Sequence, residues 1–270
     1  MDEKMCVYYT LEEMKAVENY IESALGITDE SGFDAHEIQS DYIHSDVLIR
    51  KNENGETVFA SLGMGAREMK TPREGYERTE LVMFCADEIE VDTEESFQLA
   101  STVNGMTKYP FLNDTWFGTG HTVSMSQSDK EKYGYDAFAL LENTEPTEVT
   151  DLGVVHFLTM IPIYEDEREW IMENNTFDYL ELLFEEFGRD ALYVDKPREH
   201  FIPVEEQTEN IFMKSFMNMF DIDEETYYRF VDFIESMRQE GEEVTYDMMG
   251  KWIEENRPKQ RTKNDTSKFL

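Results

Sequence analysis

The chain is short of positive charge. Lys and Arg number 24 against 60 Asp and Glu, a formal net charge of -36 over 270 residues. A field of that sign repels phosphate backbones and anionic lipid, which argues against direct binding to nucleic acid or to a membrane surface. It favours fast encounter with a basic partner and serves solubility equally well. Cysteine is scarce: Cys6 and Cys85 lie far apart without a CxxC, so a disulfide framework or zinc knuckle has no basis and a reducing compartment is expected. No stretch approaches the about 18 apolar residues of a membrane span. The opening "MDEKMCVYYT" lacks the basic-then-apolar order of a secretory signal, so a cytoplasmic protein is expected. GxSxG, HGxxG, SxxK and HExxH are missing too, which leaves the usual serine hydrolase and zinc-protease arrangements without support.

What remains is enough to fold. Hydrophobic residues make up 40% and aromatics 13%, too many for a disordered polyanion and sufficient for a sizeable core. "TLEEMKAVENYIESALG" places Thr10 three residues before Glu13, a capping-box spacing, and predicts a helix over 10–25. Strand-like runs follow: "HSDVLIR", "TVFASLGM", "RTELVMF", "HTVSMS", "DAFALL" and "GVVHFLTMIPIY", with "NENG" a hairpin signal between the first two. "SFQLASTVNGMTKYP" reads as a helix stopped by Pro110, and "NTFDYLELLFEEFG" as another over 175–188. The interleaving predicts an α+β layer architecture, a mixed β-sheet with flanking helices, over 1–200. Proline-containing 195–207 reads as a linker, 205–256 as a small C-terminal helical appendage, and 257–270 as a disordered basic tail.

Several groupings have the chemistry of a site. His44 and Asp46 share a strand face, and with His121 or His156 they have the donor types of a metal site. The alternative is a structural His–Asp hydrogen bond, and the expectation is that no metal and no cofactor is bound. Arg78 and Glu80 also share a face, so His44, Asp46, Arg78 and Glu80 are expected to form a buried polar network with Arg78 bridging the acids, since a lone buried charge is costly. The glycines of "SLGMGAR" lack the continuation of a phosphate loop and read as a turn. In "VVHFLTMIPIYEDE", Pro162 removes a backbone donor and so marks a sheet edge or strand end. Glu165, Asp166 and Glu167 read as a solvated cap on the next helix and as candidate partner-binding residues.

In their order and spacing, "HSDVLIR", "FASLGMG", "RTELVMF", "GHTVS" and "GVVHFLTMIPIYEDE" resemble the blocks of the suppressor of fused domain, over roughly 10–195. Ser61 and Leu62 depart from the threonine-containing lead-in usual before the glycine. The helices after 205 do not match the regulatory C-terminal half of the animal protein. The resemblance implies a suppressor of fused-like fold and a binding protein rather than a catalyst. The animal member clamps a short peptide strand, whereas prokaryotic members look like immunity proteins that neutralise toxins. The leading expectation is therefore a non-enzymatic protein-binding module, an immunity protein against a basic toxin. A hydrolase or metal-dependent enzyme centred on His44, Asp46 and Glu80 is the alternative, and a DNA-mimicking acidic inhibitor a third reading.

Overall fold

In the computed structural model, which describes residues 6–28, 33–36, 42–86, 89–90, 92–142, 144–149, 152–239 and 245–256, the first helix begins as its spacing requires. Thr10 Oγ1 accepts from the Glu13 amide at 3.3 Å and Glu13 returns a carboxylate to the Thr10 amide at 2.7 Å, closing the capping box of α1 (Leu11–Ala24). Each later strand run becomes a strand: β2 (Asp46–Lys51), β3 (Thr57–Leu62), β4 (Thr79–Cys85), β5 (Thr122–Ser124), β6 (Ala137–Glu142) and β8 (Gly153–Ile163). Two short strands with too few residues to show a pattern, β1 (Phe33–Ala35) and β7 (Thr147–Val149), complete a mixed sheet of eight strands among the described residues.

The strand order is β1-β2-β3-β4-β8-β6-β5, with β7 pairing β8. Every pairing is antiparallel except the central one, where β4 runs parallel to β8 with Thr79 opposite His156. Strands buried on both faces read as continuous apolar runs, which is why β3 and β4 show little alternation. One face packs Ile49, Phe59, Leu81, Met83 and Leu158 against α2 (Glu94–Leu112) through Leu99, Val103 and Met106. A short helix, α3 (Gln127–Tyr133), carries the chain from β5 to β6. The other face packs Leu48, Ala60, Val82 and Ile161 against α1 and α5 (Thr176–Phe187) through Val17, Ile21, Leu180 and Leu183.

Pro110 does not stop α2; it lies inside the last turn. The helix forgoes one backbone donor there, yet the Asn113 and Thr115 amides still close it on Tyr109 and Pro110 oxygens at 3.1 and 2.9 Å. Pro162 lies in β8 beyond its pairing with β4, which ends at Thr159, so the missing N–H interrupts no ladder on that flank.

Residues 195–202 are not a linker, because a buried ion pair holds them. The Arg198 guanidinium meets Glu167 at 2.5 and 2.8 Å, with side-chain exposures of 3% and 0%. It also donates to the Pro162 carbonyl at 3.2 Å. The Tyr135 hydroxyl donates to the Lys196 carbonyl and accepts from the Arg198 amide, both at 3.0 Å. Tyr164 donates its hydroxyl to the Arg198 carbonyl, and the Phe201 amide reaches Glu167 at 2.8 Å. The segment is polar in sequence because it supplies the partners of a buried carboxylate.

By compactness the chain divides into Met1–Ile202 and Pro203–Leu270. Within the second unit, α6 (Glu205–Phe220), α7 (Glu224–Gln239) and α8 (Tyr246–Asn256) share a small core of Ile222, Phe230 and Ile253 with Phe216 and Trp252 against it. Met217, Phe220, Tyr227, Phe233 and Met249 pack against it too, whereas Met219 and Tyr228 are exposed. The basic tail 257–270 lies outside the described residues.

Arg198→Met should lower the unfolding free energy by about 3–5 kcal/mol, because it leaves Glu167 buried and unpaired. Adding Glu167→Gln should recover part of that loss, as read from urea unfolding of the two variants.

Candidate functional site

The four polar residues expected to form one network fall into three groups. Asp46 meets His44 Nε2 at 3.2 Å and His36 Nδ1 at 3.0 Å. The hydrogen bond to Asp46 and its charge raise the pKa of His36. Arg78 turns to the carbonyls of Gly65 and Ala66, each at 2.8 Å, and to Glu68 at 3.0 Å. Glu80 is fully buried elsewhere. The bridge fails for a geometric reason: β2 and β4 flank β3, so Asp46 and Glu80 stand about 9–10 Å apart across the sheet.

Glu80 has its own donors. Tyr9 Oη donates at 2.7 Å, Ser61 donates its hydroxyl, and the amides of Gly63, Met64 and Gly65 approach at 2.9, 3.3 and 3.0 Å. Burial raises the Glu80 pKa, against the pull of these donors. The glycine pair of "SLGMGAR" is thus an anion nest filled by the chain's own carboxylate. Gly63 has φ +139°, and a Cβ at Gly65 would collide with the Tyr9 hydroxyl. Ser61 supplies the hydroxyl here and also accepts from the Leu81 amide at 2.8 Å.

His156 serves a separate purpose. Nδ1 pairs with Glu142, Nε2 lies 2.8 Å from the Gly75 carbonyl, and Tyr76 stacks on the ring at 4.0 Å. His121 sits edge-on to Trp116. The strand order keeps both histidines at least three strands from His44, so the expected ligand sets do not converge. Among the described residues no three His, Cys, Asp or Glu side chains meet as a metal site.

The acidic lip also divides. Glu165 and Asp166 are exposed at the start of α4 (Glu165–Glu173), but Glu167 is buried under Arg198 and is no docking residue. Its position as the third residue of α4 turns it back to the Tyr164 amide at 2.9 Å, as a capping box does. Glu165 approaches Arg168 at 3.3 Å and Lys130 at 3.9 Å, and Arg168 reaches the Ser124 hydroxyl at 2.8 Å. The lip therefore borders the end of β5, the last strand in the sheet order.

That strand was visible in the sequence, but its position at the sheet edge was not. The Leu140 amide bonds to His121 and the Met125 amide to Asp136, at 2.8 and 2.9 Å. Alternation then directs the backbone groups of Val123 inward to β6, and those of Thr122 and Ser124 outward. Beside this edge a groove of about 420 Å³ runs between α2 and the segment after β5, lined by Ser101, Gly105, Met106, Tyr109, Ser124 and Met125 among others.

The family model for suppressor of fused protein matches residues 41–199, more than half of the 270. The chain belongs to the suppressor of fused family. The structure described as the Sufu–Fu complex shares the fold at a TM-score of 0.53 and 14% identity, covering 74% of this chain and 97% of that one. The Drosophila Suppressor of Fused structure aligns at a TM-score of 0.44 and 14% identity, over 61% of this chain and 42% of that one. No curated protein matches the sequence. In this suppressor of fused chain the matched region runs from just before His44 to just past Arg198; Glu56, Glu80 and Glu167, the buried glutamates among the described residues, lie within it, whereas the donors Tyr9 and Phe201 lie outside.

The raised pKa of Glu80 has a definite sign. Its contribution to stability is full below the unfolded value and is lost as pH rises through the folded one. Glu80→Gln does not titrate, so its stability deficit against wild type should shrink as pH rises above the ordinary value of 4.5. Urea unfolding of both proteins across pH measures this, and a deficit that widens with pH would show a lowered pKa instead.

Proposed function

We propose that this suppressor of fused chain is a non-enzymatic module that captures an extended segment of a partner protein as an added strand on β5. The observation that carries this reading is the outward-facing N–H and C=O of Thr122 and Ser124 beside the groove along α2. A peptide strand satisfies such an edge by main-chain hydrogen bonds, with alternate side chains entering the adjacent groove. The Sufu–Fu complex is an assembly of a chain of the same fold with a second protein, which supports the class of function. The charge of -36 favours a basic partner, and a basic toxin held by an immunity-type protein is the partner we favour. Two cysteines far apart in sequence, without a CxxC, suit a cytoplasmic setting. The hydrolase reading loses its basis, because His44 and Asp46 stand two strands from a Glu80 already saturated with donors.

The test is binding to the product of the neighbouring reading frame. Ser124→Pro deletes an outward N–H while sparing the ladder to β6, so it should abolish binding and leave thermal stability nearly unchanged. Glu165→Lys with Asp166→Lys should slow association, and added salt should do the same with little change in dissociation. Binding indifferent to Ser124→Pro would reject the β5 edge. An on-rate indifferent to salt and to the double reversal would assign the acidity to solubility.

A further inference from the structure

Gly105 occupies the interior of α2 without a structural reason. No positive φ requires glycine there, and a Cβ at this position would meet no atom within 4 Å outside its own helix. Glycine weakens a helix interior relative to alanine, so the position bears a cost that nothing in the fold repays. It faces the groove, with Ser101 one turn before it and Tyr109 one turn after on the same side. Met106 and Met125 lie beside it in the lining, and Tyr109 is braced by a stacked Phe117 at 5.7 Å.

The pleat of β5 fixes what enters. Val123 and Met125 point to the α2 face, where both join the core cluster, while the Thr122 and Ser124 side chains point to Arg168 on the other face. On a strand added to β5, the residue opposite Val123 projects towards α2, and its two neighbours project towards Arg168 and Glu165. We propose that Gly105 is a specificity-determining position, left without a side chain so that one bulky aromatic or aliphatic side chain of the bound segment packs on the α2 backbone between Met106 and Tyr109. The partner class is thereby narrowed to extended segments with a single large apolar residue flanked by polar ones. Methionines suit such a pocket, since their side chains adapt to rings and branched chains alike.

The inference rests on the β5 reading, and the experiment separates the two. Random linear peptides displayed on phage are panned on the full chain, and enriched peptides are measured against wild type, Gly105→Ala, Gly105→Leu and Ser124→Pro. The expected result is a selected set sharing one large apolar position. It should bind at least about tenfold more weakly to Gly105→Leu, a loss typical of blocking one anchor pocket. Gly105→Ala and Gly105→Leu should both melt no lower than wild type, because each restores helix propensity. Replacing the shared apolar residue of the peptide by alanine should cost wild-type binding and leave the weak binding to Gly105→Leu unchanged. Peptides that lose binding to Ser124→Pro yet bind Gly105→Leu as tightly as wild type would overturn the role of Gly105 and leave the β5 edge standing. Peptides indifferent to both variants, or a panning that enriches none, would overturn both.

Discussion

Glu80 is surrounded by protein on all sides, and a carboxylate in that position needs donors or must take up a proton. Meeting that need ties together the N-terminal Tyr9, Ser61 at the end of β3, and the Gly63–Gly65 turn. Two other buried glutamates work alike. Glu167 gathers Tyr164, Arg198 and Phe201, and Glu56 gathers Asn52, Arg189 and Tyr193. Burial pushes the Glu56 pKa up, but the hydrogen bonds from Arg189, Tyr193 and Asn52 more than offset this, so it is lowered. The staples lie on different strands and loops and together set the outline of the sheet unit.

Some of the scarce cations are held in such contacts. Arg198 covers Glu167, Arg189 binds Glu56, and Arg50 is ringed by Glu18, Glu22 and Asp34. Each Arg–Glu pair withdraws one charge of either sign, so the surface keeps the full net excess of carboxylates. Beside the β5 edge, Glu165 and Asp166 have Lys130 and Arg168 as local counter-charges.

The architecture was legible where periodicity is strong. The capping box at Thr10, the hairpin at Asn52–Gly55 and the six main strands follow from residue spacing and turn chemistry. The mixed sheet with flanking helices follows from their interleaving. What the sequence concealed was pairing at a distance. Nothing local tells that Arg198, between two prolines, reaches Glu167, or that Glu80 finds Tyr9 rather than Arg78. Likewise "HTVS" shows a strand but not that it ends the sheet, and Gly105 looks like an ordinary helix weakness until the groove beside it is seen.

The parallel pairing of β4 with β8 has a kinetic side. It joins Thr79 to His156, partners 77 positions apart, whereas β2, β3 and β4 pair as consecutive neighbours. Closing so long a loop is entropically expensive and slow. On a ribosome, β2 to β4 can pair as soon as they emerge, but β4 then presents the apolar run Leu81–Cys85 with its outer ladder unfilled until β8 is made. Such an edge recruits other chains. The excess of carboxylates then acts on the nascent chain as well, keeping half-made sheets apart for the interval in which they are most adhesive.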